Sequence, residues 1–164
     1  MRRILIANRG EIAVRIIRTC RRLGIETVLA ASQADLDSVP ARLADRTLCI
    51  GPARPADSYL KVETLVHAAL ATHSDAIHPG YGFLAERAAF ARQCEASGIV
   101  FIGPTAAQID AVGDKLRARA EAGAANVPVV PGCAVTSADE ALAAARAMGV
   151  PLLVKAVGGG GGRG

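Results

Sequence analysis

Between residues 4 and 102, short apolar runs alternate with longer segments of helical period, and no other feature of the chain constrains its fold as tightly. Residues 4–7, 25–30, 47–50, 76–78 and 100–102 have the length and apolar content of buried strands. Residues 11–23 place Ile12, Ile16, Cys20 and Leu23 on one helical face and Arg15, Arg18 and Arg22 on the other. Residues 62–71 and 85–96 repeat that period, and a short helical piece is expected at 41–44. Asn8 is expected to cap the first helix with Glu11 three residues on, and Gly24 to stop it. Strands separated by helices imply right-handed crossovers and a mainly parallel sheet. The expected class is therefore α/β, doubly wound.

Gly103-Pro104 breaks the alternation. Beyond it come helical stretches at 106–112 and 115–122 joined by Gly113, an apolar stretch at 127–130 and a Pro131-Gly132 turn. A helix at 138–148 and a strand at 152–157 complete the chain's regular elements. The expected division is an α/β domain over 1–103, a helical connector over 104–126, and the opening of a second α/β unit over 127–164. The last strand carries Lys155 and runs into the glycines at 158–162. Glycine reaches positive φ and keeps Cβ away from a ligand, so backbone N–H groups in such a loop can close around a phosphate. Here the lysine precedes the glycines, which is not the Walker A order. Flanked by Leu152-Leu153-Val154 and Ala156-Val157, its ammonium is expected to be at least half buried, and burial calls for an anionic partner.

The formal charge of +4 points to no polyanionic partner. Apart from Lys61, Lys115 and Lys155 the basic residues are arginines scattered among acids, and aromatics make up 3% of the chain. A nucleic-acid surface would need a basic stripe with stacking rings. Cys20, Cys49, Cys94 and Cys133 are too far apart for a metal or redox motif and are expected to be buried free thiols. The apolar run at 4–7 is too short for a signal peptide and no run approaches a membrane span, so a cytoplasmic protein with no membrane contact is expected.

Two loops stand at the ends of strands, where ligands of open α/β sheets collect. Asn8-Arg9-Gly10-Glu11 fills the first turn with a single glycine, which argues against a dehydrogenase; Arg9 and Glu11 fit either capping with a local ion pair or a role at the strand end. The second loop, His78-Pro79-Gly80-Tyr81-Gly82-Phe83-Leu84, is sharply shaped by its proline and glycines.

Taken in order, several segments together resemble the biotin carboxylase family. They are Ile6-Ala7-Asn8-Arg9-Gly10-Glu11-Ile12-Ala13, the 78–84 loop, Phe101-Ile102-Gly103-Pro104, Gly113-Asp114-Lys115, Val130-Pro131-Gly132 and the 155–164 loop. That family includes the biotin carboxylase subunit of acetyl-CoA carboxylase, which serves fatty acid biosynthesis, and domains of propionyl-CoA, methylcrotonyl-CoA and pyruvate carboxylases. The resemblance implies the N-terminal domain of an ATP-grasp enzyme followed by the incomplete start of its lid. It also implies a ligase that uses ATP and Mg2+ to activate bicarbonate as carboxyphosphate and then carboxylates biotin on a carrier.

Lys115 and Lys155 match the family's ATP-contacting lysines, and Gly161 and Gly162 its phosphate-covering loop. His78, Gly80, Tyr81 and Gly82 form a possible active-site loop. Metal-binding glutamates, bicarbonate ligands and the catalytic base are expected beyond Gly164, so the 164 residues alone are expected to be an inactive N-terminal fragment that binds Mg-ATP weakly at most. The implied partners are a biotin carboxyl carrier, a carboxyltransferase and a second copy of the parent chain. Against the family pattern, Ala85 and Arg87 stand in the F-L-S-E-N segment, Pro40 replaces a histidine, and Asn126 replaces a glycine. Another ATP-grasp ligase of carbamoyl phosphate synthase type, or a non-catalytic nucleotide-binding or interaction domain, remains an alternative.

Overall fold

The computed structural model describes residues 1–149 and 151–155, in two compact units, Met1–Ile109 and Asp110–Gly164. The first unit contains strands β1 (Arg3–Ile6), β2 (Glu26–Ala31), β3 (Arg46–Cys49), β4 (Ala76–His78) and β5 (Val100–Phe101). Between them run helices α1 (Gly10–Arg22), α2 (Val39–Leu43), α3 (Val62–Ala71) and α4 (Ala88–Ala96). Every strand pairing is parallel, in the order β3-β2-β1-β4-β5. β1 is central, with Ile4 opposite Thr27 of β2 on one side and Ala76 of β4 on the other.

Successive side chains along a strand point to opposite faces, and both faces are filled here. Leu5, Val28, Ala30 and Ile77 meet Leu65 and Val66 of α3 and Phe90 and Cys94 of α4. Ile4, Ile6, Leu29 and Ala31 meet Ala13, Ile16, Ile17 and Cys20 of α1. The doubly wound α/β class is what the alternation of apolar runs implied.

The second unit carries α6 (Lys115–Ala124) and α7 (Ala138–Met148), reached through α5 (Ala106–Gly113). Asp114 caps α6 by accepting hydrogen bonds from the Leu116 and Arg117 amides at 2.9 and 2.8 Å. Ser137 caps α7 through the Glu140 amide, while the Glu140 carboxylate reaches back to the amide and hydroxyl of Thr136.

Some expectations fail for identifiable reasons. α4 begins at Ala88 rather than at residue 85, because a turn closed by the Ala85 amide on the Gly82 carbonyl, with Phe83 at φ 46°, occupies the preceding residues. Residues 152–155 form no strand, having no ladder partner among the described residues, and Lys155 is exposed rather than half buried. Residues 156–157 of the expected strand lie outside the described residues. Cys20 and Cys94 are buried free thiols, whereas Cys49 on the edge strand and Cys133 in an open loop are exposed. No described helix is long and apolar enough to cross a membrane.

Candidate functional site

The order of strands reverses at β1, so the carboxyl ends of β1 and β4 flank the crevice where open α/β sheets usually take a ligand. Here that crevice is crossed by the chain itself. The Asn8 carboxamide, 5% exposed, donates to the carbonyls of Pro79 at 2.7 Å and Tyr81 at 2.9 Å, and its oxygen accepts the Arg9 amide. Asn8 is thus no helix cap. Arg9 takes the cap position of α1 without a side-chain hydrogen bond, because the Asn8 carboxamide is committed to the 78–83 loop.

The same contact explains Gly80. A Cβ there would lie 2.6 Å from Asn8 Nδ2 and 2.7 Å from Ile12 Cγ2, and φ is +67°. Glycine alone fits both the space and the backbone conformation. His78 accepts the Gly80 amide through Nδ1 at 3.0 Å, which leaves the proton of the neutral ring on Nε2. Burial pushes its imidazole below the usual histidine range, favouring the neutral form. Tyr81 is 63% exposed and donates its hydroxyl to Glu11, the contact that chiefly raises its phenol. Glu11 therefore serves Tyr81, and Arg9 pairs elsewhere.

Beside this loop lies a polar cluster that sequence reading missed. Asp35, just after β2, accepts hydrogen bonds from Ser32 Oγ at 2.6 Å and the Tyr59 hydroxyl at 2.7 Å, with Arg9 Nη1 at 3.7 Å. The Tyr59 hydroxyl in turn accepts the Ser32 amide at 3.0 Å. Burial works to raise the Asp35 carboxyl, but the two hydroxyl donors and the Arg9 charge prevail and hold it below the carboxylate range. Tyr59 is fully buried, and burial pushes its phenol up to about 12. Its ring stacks on Phe83 at 5.1 Å and 10°, and the Arg9 guanidinium lies 5.6 Å from each ring centre. The available signal was scarcity: the chain has two tyrosines and three phenylalanines, and a buried tyrosine needs a partner for its hydroxyl.

In the second unit, Lys115 and Lys155 both line one open hollow of about 1360 Å³. Its walls include Val129, Val130, Leu152 and Val154, and Arg119 donates across its rim to the Val130 carbonyl. Two ammonium groups and the Arg119 guanidinium on mostly apolar walls suit a ligand with an anionic end and a flat, poorly hydrated body, as a purine nucleotide has. The N-terminus of α6 beside Lys115 is already occupied by the Asp114 carboxylate. Gly161 and Gly162 lie outside the described residues, and among those described no group of three or more His, Cys, Asp or Glu is placed to hold a metal ion.

Comparison with known proteins agrees with this architecture. Residues 1–109 match the N-terminal domain family of biotin carboxylase, and residues 114–164 match the ATP-binding domain of the carbamoyl-phosphate synthase L chain. The chain belongs to the biotin carboxylase N-terminal domain family. It is 51% identical over 166 residues to biotin carboxylase 1 of Bacillus subtilis, covering 100% of this chain and 37% of that protein. With the mitochondrial propionyl-CoA carboxylase alpha chain of Homo sapiens it shares 46% identity over 99% of this chain and 22% of the relative. Among solved structures it matches the biotin carboxylase domain dimer of Hydrogenobacter thermophilus 2-oxoglutarate carboxylase, solved with MgADP, ADP and bicarbonate. That match has a TM-score of 0.93 at 46% identity, over 99% of this chain and 36% of the other. The chain thus spans little more than a third of the biotin carboxylases it matches.

Proposed function

We propose that these residues form the N-terminal domain (1–103), helical connector (104–126) and first part of the ATP-grasp lid (127–164) of a biotin carboxylase. In this reading the parent protein is an ATP-dependent ligase that carboxylates carrier-bound biotin with bicarbonate. The observation that carries the reading is that Lys115 and Lys155, distant in sequence, line one hollow with mostly apolar walls. Each ammonium is proposed to hold a phosphate oxygen of ATP, with Gly161 and Gly162 covering the phosphates; charge neutralisation and positioning are most of what phosphoryl transfer asks of a protein. Mg-ATP supplies the phosphoryl group that activates bicarbonate. His78, Gly80, Tyr81 and Gly82, in the 78–82 loop of the first unit, are proposed as an active-site loop of the parent enzyme.

The carboxyl carrier, a carboxyltransferase and a dimeric parent are proposed as partners, in the cytoplasm. The 164 residues alone are proposed to be inactive. Acetyl-CoA carboxylase, and with it fatty acid synthesis, is the proposed setting. Support comes from the 51% identity to a bacterial biotin carboxylase against 46% to a propionyl-CoA carboxylase chain.

Titration of the full natural chain with MgADP tests the site. Lys115→Gln and Lys155→Gln should each weaken binding by about 10- to 100-fold, the worth of one hydrogen bond to a charged group. Undiminished binding in both variants would remove the nucleotide site from this hollow. Tight binding without bicarbonate-dependent turnover would favour a non-catalytic nucleotide-binding protein instead.

A further inference from the structure

The 78–83 loop is pinned at two ends by different chemistry. At its near end Asn8 Nδ2 holds the Pro79 and Tyr81 carbonyls. At its far end Phe83 sits at φ 46°, a backbone conformation costly for a side chain of its size, and its ring lies on Tyr59. Something must make that conformation worthwhile, and the Arg9 guanidinium is in place to do so. It lies at the same 5.6 Å from the Tyr59 and Phe83 centres, with Asp35 behind it. Asp35 in turn is fixed by Ser32 and Tyr59, so the cation, the carboxylate and both rings form one closed set drawn from four separate loops. Arg9 and Asn8 are adjacent; one dipeptide after β1 therefore holds both ends of the loop.

We propose that Arg9 is a positioning residue for the 78–83 loop, acting through the Tyr59–Phe83 ring pair and anchored by Asp35. Its contribution to turnover rests on the biotin carboxylase reading, in which that loop is an active-site loop; its effect on the loop does not. The Arg9–Asp35 pair is too exposed, with 44% of the Arg9 side chain accessible, for the ion pair alone to hold the loop. The approach of the guanidinium to both rings, 5.6 Å from each centre, matters more, and a lysine ammonium, a compact and strongly hydrated charge, is a poorer substitute.

The test compares Arg9→Gln, Arg9→Lys and Phe83→Leu in the full natural chain, by amide hydrogen exchange and by biotin-dependent ATP turnover. In Arg9→Gln the peptide covering 79–85 should exchange about two- to fivefold faster, while peptides from β1, β2 and β4 keep their protection. Arg9→Lys should fall between Arg9→Gln and wild type. Phe83→Leu should loosen the same peptide, and adding Arg9→Gln to it should change little further, because the ring that Arg9 acts through is gone.

Biotin-dependent kcat should fall in step with loop exchange while the KM for ATP stays constant. Unchanged loop exchange in Arg9→Gln overturns the proposal, as do fully additive effects of Arg9→Gln and Phe83→Leu. Faster loop exchange with unchanged turnover upholds the role of Arg9 and instead removes the loop from the active site proposed for the parent enzyme. Should Arg9→Gln unfold the sheet, Arg9→Lys and Phe83→Leu carry the comparison.

Discussion

The four helices between the strands of the first unit and the two helices of the second are specified by opposite means. In the first unit the cap positions of α1, α2, α3 and α4 are Arg9, Ser38, Lys61 and Arg87, and none of these makes a side-chain capping bond. Each of those helices instead buries at least one residue against its surroundings. In the second unit α6 and α7 are both capped by their own side chains, and neither buries a single residue. Val129, Val130, Leu142, Leu153 and Val154 are exposed there. The helices of the sheet are held by tertiary packing, and α6 and α7 by local hydrogen bonds. Local signals thus suffice to draw a helix, while only a filled sheet makes a core.

The sharpest way to break this contrast lies in the first unit. Gly80→Ala should cost about 2–4 kcal/mol, combining the left-handed conformation with the clash against Asn8 and Ile12. Gly82→Ala, at φ +66° but with nothing within 4 Å of the new Cβ, should cost only the conformational part, about 1–2 kcal/mol. Chemical denaturation of the two variants measures the difference. Equal losses would mean that the Asn8 contact does not constrain the loop.

Acid should also separate the units. In the first, Asp35 and Asp45 are held below the carboxylate range; for Asp45 the leading cause is the Thr27 hydroxyl, followed by the Thr27 amide. A depressed folded pKa stabilises above the unfolded value of about 3.9, and that contribution is lost as pH falls through the folded value. In the second unit the shifted carboxyl is Glu140, which is fully exposed. Unfolding of the first unit, followed by resonances of its sheet, should therefore respond more steeply to pH below about 4. Asp45→Asn should flatten that response.

A smaller effect is expected at the caps. Asp114→Ala should unwind the start of α6 at a cost of about 1 kcal/mol. Alanine at the uncapped Lys61 should leave α3 unchanged within about 0.5 kcal/mol. Helical chemical shifts in each variant test the pair.

The smallest effects concern helix ends. α1, α3, α4 and α6 all finish in the same paired hydrogen-bond pattern, with the turning residue at positive φ. That residue is Gly24 in α1 and Gly98 in α4, but His73 in α3 and Asn126 in α6. His73→Gly should stabilise by about 1 kcal/mol, and Asn126→Gly by less, since asparagine tolerates this conformation better. Thermal melts should show the order; a larger gain at Asn126 would contradict it.

These contrasts also explain what could be read from the sequence. α3 and α7 have the expected bounds: a local cap sets the start of α7, and a local turn at His73 sets the end of α3. The sheet class followed from alternation alone. Asn8 was misread because its partners stand 71 and 73 residues away, beyond any local signal. The start of α4 was lost to a phenylalanine at positive φ, a conformation that ordinary propensity argues against. Lys155 was read as half buried from its neighbours' apolarity, but burial needs a second surface, which composition cannot supply. The departure at Asn126 became intelligible only with its φ of 57°.

The Asn8 carboxamide also sets an order of events during synthesis. The first turn emerges early, yet the carbonyls it must bind belong to residues 79 and 81, made only after β2, β3 and α3. Until β4 slots in beside β1, a polar group destined for burial has only water to satisfy it. One flank of the central strand can assemble as it leaves the ribosome, whereas the other, and the join that Asn8 makes between them, must wait.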